Sequence, residues 1–214
     1  MGYNTSKSLF HLISKMAKKL NWYIIENELI KKGFTIFTPR DLQRLFHTSE
    51  VSIRFLLHRY FMKGMVGRLR KGYYFFPSSP PSELQTANAL YRPSYISFEY
   101  ALAFYHIIPE AAYSVTSATT KPTRIFQPQN KTYEYRTIKK EVYFGYIPHR
   151  IGNVVVLIAE PEKALVDYIY FVALGKKTLN ERFLFKGLQT KKIMKYAKVF
   201  KNNRLLELLR KILL

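Results

Sequence analysis

The sequence FTPRDLQRLFHTSEVSIRFLLHRYFMKGMVGRLRKGYYFF, residues 37–76, decides the fold of the first part of this chain. Its first half predicts two helices separated by a sharp turn. Thr38 can cap the first helix, and Pro39 then takes the first helical position. Thr48 or Ser49 can cap the second helix, in which apolar side chains recur at helical spacing, namely Ile53, Leu57, Tyr60 and Phe61.

The second half of this stretch predicts a basic β-hairpin. Lys63-Gly64 is typical of a helix end. Residues 65–69 and 73–76 are short β-prone runs joined across Arg70-Lys71-Gly72. Two helices at a short turn followed by a basic hairpin are the pattern of a winged helix-turn-helix, whose second helix fits the major groove of DNA. Such a helix pair can also serve only to bind protein, and this alternative stays open.

The side chains expected to contact DNA lie off the apolar stripe of the second helix and on the hairpin. Serine and arginine can hydrogen-bond to base edges, and an aromatic ring can contact a thymine methyl group. Cations on the hairpin suit phosphates or the minor groove. The predicted DNA-binding residues are Ser49, Ser52, Arg54, Phe55 and His58 for the bases, Arg59 for a phosphate, and Arg68, Arg70 and Lys71 on the hairpin.

The charge distribution favours nucleic-acid binding by the first part of the chain. The net charge is +21 over 214 residues. Residues 1–78 carry 14 Lys or Arg against 4 Asp or Glu, residues 79–174 carry 9 against 8, and residues 175–214 carry 12 against 2. A basic segment that holds a helix-turn-helix is suited to bind the phosphate backbone. The basic carboxyl-terminal part has no such motif, so nucleic acid, an acidic partner and solvent all stay open there.

The stretch Pro77-Ser-Ser-Pro-Pro-Ser82 marks a linker. Prolines at this density break helices and strands and favour an extended spacer. The predicted domains are therefore residues 1–78 and residues 83–214, joined by a linker at residues 79–82. In the second domain, helical patterns flank a run of strand-like segments between Tyr113 and Ile158. This predicts an α+β fold with a mostly antiparallel sheet and basic C-terminal helices.

Two amphipathic helices present faces whose use the pattern leaves open. The helix predicted over Ser6–Leu20 packs on the first domain or forms a dimer contact. A helix near the carboxyl end places Lys191, Lys195 and Lys198 on one face. A solvated face is the usual role of such a pattern, and a second contact with nucleic acid or an acidic toxin is the sharper hypothesis.

Composition excludes several function classes. The chain has no cysteine, which removes disulfides, thiolate zinc sites and a cysteine nucleophile. Its only aspartates, Asp41 and Asp167, lie far apart, so there is no paired-aspartate motif for two metal ions. There is no phosphate-binding glycine loop either. We therefore expect no catalytic residues, cofactor or metal, and no apolar run predicts a membrane span. A glutamate-based nuclease site stays open.

Three further patterns near the middle of the second domain can be explained by structural roles alone. Glu160 and Glu162 resemble first-turn helix carboxylates, which the helix dipole stabilises. Lys163 and Asp167 form an i,i+4 pair, which contributes only a few tenths of a kcal/mol on an exposed face. The Ser/Thr-rich stretch 114–123 either offers hydroxyls to a phosphate or forms the polar side of strands.

Short motifs in a fixed order carry a family resemblance. They are the hairpin Lys71-Gly-Tyr-Tyr74, then Tyr95-Ile-Ser97, Glu99-Tyr-Ala-Leu102, Ile108-Pro-Glu110, Val115-Thr-Ser117, Thr119-Thr-Lys121 and Glu160–Asp167. In order and spacing, over about residues 35–174, they resemble the AbiEi-type antitoxins of type IV (abortive infection) toxin–antitoxin systems, which act in phage defence.

The resemblance implies a cytoplasmic, two-domain protein without catalytic activity. Its first domain is expected to bind double-stranded DNA at inverted repeats in its own promoter and to repress its operon. Its second domain is expected to counteract a nucleotidyltransferase-like toxin, without a stable complex and without a membrane partner. Two other hypotheses stay open. One is a nuclease-like second domain, and the other is a repressor outside toxin–antitoxin systems whose second domain senses a ligand.

Overall fold

The computed structural model describes residues 22–213, so the helix predicted over Ser6–Leu20 lies outside the described residues. The chain divides into two compact units, the first ending at Ser82 and the second beginning at Glu83. The boundary falls at the end of the proline-rich stretch. No helix in the described part of the chain is long and apolar enough to cross a membrane.

The described part of the first unit contains three helices and three short strands. In chain order they are α1 (Trp22–Lys31), β1 (Ile36–Phe37), α2 (Pro39–Phe46), α3 (Glu50–Met62), β2 (Gly67–Arg70) and β3 (Tyr73–Phe75). The strands form an antiparallel sheet in the order β1-β3-β2, in which Ile36 lies opposite Phe75. Gly72, with φ of +82°, takes the left-handed conformation that the turn between β2 and β3 requires.

Local capping fixes the two helices on either side of the turn. The Asp41 N–H donates to Thr38 Oγ1 at 3.3 Å, and the Thr38 N–H donates to Asp41 Oδ2 at 2.8 Å, which confirms Thr38 as the cap of α2. His47 turns the chain with φ of +47°. Ser49, rather than Thr48, caps α3, because its hydroxyl accepts from the Ser52 N–H at 3.2 Å. The turn is therefore set by adjacent side chains.

The core of the first unit is built around Trp22. Its ring lies 5.3 Å from that of Tyr60 and 5.9 Å from that of Phe76, and its backbone N–H donates to the Tyr60 hydroxyl at 3.1 Å. On α3 the fully packed residues are Ile53, Leu56 and Leu57. Leu56 was missing from the predicted stripe, and Tyr60 and Phe61 are only half-buried. The core therefore contacts a broader arc of α3 than the sequence stripe indicates.

The described part of the second unit contains five helices and six strands. They are α4 (Glu83–Leu90), β4 (Ser94–Ile96), α5 (Phe98–Phe104), β5 (Val115–Thr119), β6 (Arg124–Phe126), β7 (Tyr133–Thr137), β8 (Tyr146–Ile151), β9 (Val154–Ala159), α6 (Pro161–Ala173), α7 (Thr190–Val199) and α8 (Asn203–Leu213). The predicted α+β class is confirmed.

The six strands form one mixed sheet in the order β6-β7-β5-β4-β9-β8. β5 with β7 and β4 with β9 are parallel pairs, and the other three pairs are antiparallel. The parallel pair of β4 and β9 consists of a single position, Ile96 opposite Ile158. One residue pair therefore joins β9 and β8 to the other four strands of the sheet.

Residues 142–146, which belong to the run of segments predicted to be strands, do not form a strand of their own. Lys140–Val142 form a 3-10 turn, and β8 begins only at Tyr146. Gly145 has φ of +71°, which breaks extended pairing, and its carbonyl instead accepts from the Glu160 N–H at 2.9 Å. The central strand β4 was not predicted at all, because three residues carry too little alternation to stand out between two helices.

Candidate nucleic-acid interface

Helix α3 presents a solvent-exposed face that contains large apolar side chains. Val51 is 62% exposed, Phe55 is 72% exposed and Met62 is 71% exposed. His58 lies on the same face and is also exposed. Because the opposite face of α3 packs on the core, the helix is apolar on two sides. Exposed apolar groups of this size, when they lie together, indicate a contact surface.

Ser49 and Ser52 lie at the exposed amino-terminal end of α3. Besides the capping bond, their hydroxyls share a hydrogen bond of 2.8 Å. The two serines therefore stabilise the first turn of the helix. The structure places them beside the exposed face, with part of their hydrogen-bonding capacity already in use.

Arg54 forms an ion pair with Glu50, one turn earlier on α3. Both side chains are more than half exposed, so the pair contributes little to stability and is weakened by salt. An exposed guanidinium of this kind can exchange its carboxylate for a nucleic-acid acceptor. The i,i+4 spacing of the two residues is visible in the sequence, and the prediction for Arg54 overlooked it.

Guanidinium groups next to α3 and on the hairpin stack on aromatic rings. Arg59 lies 5.1 Å from the Tyr60 ring centroid, Arg68 lies 4.8 Å from that of Phe61, and Arg70 lies 3.8 Å from that of Tyr73. Stacking uses the face of the guanidinium and leaves donors at its edge. The Arg68–Phe61 contact also joins the hairpin to the last turn of α3.

The nine residues predicted to bind DNA are therefore brought onto one helix and the hairpin joined to it. Lys71 is exposed at the hairpin turn, and Arg70 is half-buried. The remaining seven are exposed. Sequence reasoning missed Val51 and Met62, because apolar residues on both sides of a helix give no clean stripe.

The three lysines predicted to form a second basic surface do share a face of α7. Lys191, Lys195 and Lys198 are all exposed, while Ile193 and Ala197 are buried on the other side. Lys192 differs from them, because its ammonium group lies 3.0 Å from Glu160 and 3.1 Å from Glu162. The basic surface thus consists of the outward-facing lysines only.

Glu160 and Glu162 do more than interact with the helix dipole. Glu160 accepts hydrogen bonds from Lys192 and from the Tyr196 hydroxyl. Burial alone raises the pKa of Glu160, but these bonds outweigh it and hold the pKa below its usual value. Burial and the same carboxylate raise the pKa of Tyr196 to about 12. The cluster fastens the start of α6 to α7.

Among residues 22–213, no three His, Cys, Asp or Glu side chains gather to hold a metal ion.

Lys163 and Asp167 form the i,i+4 pair that their spacing predicts, and the pair is buried rather than exposed. Both side chains are 0% exposed. Tyr95 and Ser97 each donate a hydroxyl hydrogen bond of 2.8 Å to Asp167 Oδ2, and Lys163 Nζ donates to the Tyr95 oxygen at 2.9 Å. Burial lowers the pKa of Lys163, and the Asp167 charge opposes that shift. This cluster ties α6 to the central strand β4.

The part of the Ser/Thr-rich stretch that forms β5 does not present its hydroxyls to solvent. All five residues of β5, 115–119, are buried. Thr116 donates to the Ser97 carbonyl at 2.7 Å, and Thr119 donates to the Pro93 carbonyl at 2.7 Å. These two hydrogen bonds join β5 to the residues directly before and after β4, and the two hydroxyls are not arranged to receive a phosphate.

Comparison with protein-family models gives no match to this chain, and comparison with curated proteins gives no significant match. The likeness to AbiEi-type antitoxins therefore rests on the ordered sequence motifs alone.

Proposed function

We propose that this protein is a DNA-binding transcriptional repressor whose residues 37–76 act as a winged helix-turn-helix. The observation that carries the proposal is the exposed face of α3, which is joined through Arg68 to a hairpin rich in cations. In this proposal α3 enters the major groove and the β2–β3 hairpin contacts the neighbouring backbone or minor groove.

Each group on this surface has a separate role in the proposal. The Phe55 ring, which is 72% exposed, contacts the C5-methyl group of a thymine. Arg54 leaves its exposed pair with Glu50 for a base edge. Arg59, Arg68 and Lys71 neutralise phosphates, which sets the salt dependence of binding.

The magnitude of that salt dependence follows from the number of cations. If Arg54, Arg59 and the three hairpin cations Arg68, Arg70 and Lys71 meet phosphates, five counterions are released. Each contributes about −0.9 to the slope of log K against log salt concentration, so the slope is about −4 to −5 for one DNA-binding unit. A base contact by Arg54 lowers the magnitude by about one.

We also propose that the protein is the antitoxin of a type IV system and acts without catalysing a reaction. The sequence resemblance supports this role, with inverted repeats in its own promoter as the operator. In this proposal the second unit acts through the exposed lysine face of α7, which comprises Lys191, Lys195 and Lys198. This face contacts a nucleotidyltransferase-like toxin or the RNA substrate of that toxin.

DNA binding is tested by fluorescence anisotropy on DNA from upstream of the coding sequence, at salt concentrations from about 50 to 200 mM. Lys71→Ala should weaken binding to every sequence and reduce the slope by about 0.9, whereas Arg54→Ala should also relax sequence preference. The control is Lys31→Ala, since Lys31 lies on α1 with its side chain 74% exposed. Unchanged affinity in both the Arg54 and the Lys71 variants would remove this assignment.

The role of Phe55 is tested by replacing operator thymines with deoxyuridine, which removes only the methyl group. Wild-type affinity should fall at one or two thymines, and the Phe55→Ala protein should be insensitive at the same positions. Equal sensitivity in the two proteins would show that another group reads the methyl.

The antitoxin role is tested by co-expression with the nucleotidyltransferase-like protein of a neighbouring gene. The full chain should restore growth, and a variant with Lys191, Lys195 and Lys198 changed to alanine should not. Lys139→Ala with Lys140→Ala is the control, because both lysines are exposed elsewhere on the second unit. Failure of the wild-type chain to protect sinks the antitoxin proposal and leaves the DNA-binding proposal standing.

A further inference from the structure

The second unit contains a partly open cavity of about 510 Å³ beside strands β4 and β9. This volume lies within the range of about 300–1,000 Å³ that small-molecule sites occupy. None of the residues predicted to bind DNA lies in it. Its walls are formed by Asn88, Arg92, Pro93, Ser94, Tyr143, Tyr146, Val155 and Leu157.

The cavity exists because β4 and β9 separate. They pair only where Ile96 lies opposite Ile158. Next to that position the side-chain amide of Asn88 bonds to the backbone of β9. It accepts from the Leu157 N–H at 2.7 Å and donates to the Leu157 carbonyl at 3.3 Å. At Leu157 a side chain therefore supplies hydrogen bonds on the side of β9 that faces away from β8.

Ser94 also lines this cavity, but not with its hydroxyl group. The residue is only 4% exposed, and its Oγ atom is buried without a hydrogen bond to any residue in the described range 22–213. The groups that can contact a ligand in the cavity therefore belong to its other walls.

The other walls of the cavity define the chemistry of that ligand. Arg92 is exposed and is positioned by the hydrogen bond that its Nε–H donates to the backbone carbonyl of Asn88, at 2.9 Å. A guanidinium held in this way suits a phosphate group. Tyr143 and Tyr146 supply two aromatic rings, whose centroids lie 5.3 Å apart.

The two tyrosines are held in place from behind. The ring of Tyr146 stacks on that of the fully buried Tyr95 at 4.8 Å, with the planes 21° apart, and Tyr143 contacts the same ring at 5.1 Å. Burial raises the pKa of Tyr143 to about 12. Positioned tyrosine rings are the side chains on which nucleic-acid bases stack.

We propose that this cavity binds a nucleoside monophosphate, with its phosphate on Arg92 and its base against Tyr143 and Tyr146. The same chemistry is offered by a free nucleotide and by the 5′-phosphorylated end of a strand. This site lies outside the proposed DNA-binding surface. It gives the second unit a ligand of its own, which neither repression nor toxin neutralisation requires.

The proposal is tested by calorimetric titration of the full chain with each of the four ribonucleoside monophosphates and with a 5′-phosphorylated trinucleotide. The matching nucleosides and inorganic phosphate serve as comparison ligands. We expect saturable binding of at least one phosphorylated ligand. The matching nucleoside and inorganic phosphate should each bind at least about tenfold more weakly. Tighter binding of the trinucleotide identifies a strand end as the ligand, and equal or tighter binding of the monophosphate identifies the free nucleotide.

Variants separate this cavity from the general attraction of a basic protein for nucleotides. Arg92→Ala should weaken binding by about tenfold or more, because it removes a charge-assisted hydrogen bond. Arg150→Ala is the matched control, since Arg150 is an exposed arginine on β8 outside the cavity, and it should leave the affinity unchanged.

Ser94→Ala provides a second control. Because the Ser94 hydroxyl is buried and has no protein partner, its removal should leave the melting temperature of the free protein equal or higher and the ligand affinity unchanged. The proposal is overturned if no phosphorylated ligand binds. It is also overturned if Arg92→Ala binds like the wild type, or if Arg150→Ala weakens binding as much as Arg92→Ala.

Discussion

Replacing Lys163 by methionine should destabilise the second unit severely, because it leaves Asp167 as a buried charge without a cation. Both side chains are 0% exposed. In the Lys163→Met protein, Asp167 keeps the hydroxyl donors of Tyr95 and Ser97 but loses the ammonium group with which it pairs. Removing one partner of a buried ion pair costs about 3–5 kcal/mol. Methionine keeps most of the lysine stem, so lost packing adds little to this figure.

The double variant isolates the charge. Tyr95 and Ser97 both donate to the same oxygen of Asp167, Oδ2, so the carbonyl oxygen of an asparagine can receive both bonds. Lys163→Met with Asp167→Asn therefore removes both charges and keeps the two hydroxyl contacts. We expect it to be more stable than either single variant and to exceed the additive value by about 1–3 kcal/mol.

The measurement is urea unfolding followed by two probes. Trp22 is the only tryptophan and lies in the first unit, so its fluorescence reports on that unit and serves as an internal control. Far-UV circular dichroism also follows the second unit, whose urea midpoint should fall. In a thermal scan a loss of about 3–5 kcal/mol lowers the melting temperature by roughly 10–20 °C. The explanation fails if Lys163→Met costs under about 1 kcal/mol, or if the double variant is less stable than both single variants.

Three further perturbations test other parts of the molecule. Thr38→Ala removes the capping hydroxyl of α2 and should cost the first unit about 1 kcal/mol, read from the midpoint of tryptophan fluorescence in urea. Gly67→Ala places a methyl group 2.2 Å from the Phe75 ring and should cost about 1–3 kcal/mol by the same measurement, with partial recovery when Phe75 is also changed to leucine. Because the folded pKa of Glu160 is lowered, its contribution to stability is present above about pH 4.3 and is lost as the pH falls further. Glu160→Gln should therefore flatten the acid side of the stability curve, and an unchanged acid side would contradict the assigned contacts.

Sequence reasoning succeeded where neighbouring residues decide the structure. The cap at Thr38 and the left-handed end of α3 near Gly64 are written in adjacent side chains, and the structure has both helices where they were predicted. The spacing of Lys163 and Asp167 also indicated their pairing correctly. Their burial could not be inferred, because it depends on β4, a strand that lies far away in the chain.

The parts that failed depend on distant partners. Three residues, 94–96, form the central strand only because β5 and β9 flank them, and no local pattern announces this. The cavity has the same origin, since it results from the position of Asn88 against Leu157. In the nucleic-acid interface, the pairing of Arg54 with Glu50 was available from spacing, whereas the exposure of Val51 and Met62 was not.

The single residue pair between β4 and β9 has a consequence for how the second unit assembles in time. β8 with β9 and β6 with β7 join segments that are close in the chain, so these hairpins can form early. Joining Ile96 to Ile158 closes a much longer loop, and the entropy of that closure is opposed by only one ladder position. The contacts of Tyr95 and Ser97 with Asp167 form across the same junction. We therefore expect the β8-β9 pair and the other four strands to form first, and Lys163 to be buried last. The joining of β4 to β9 would then be the slow step of folding.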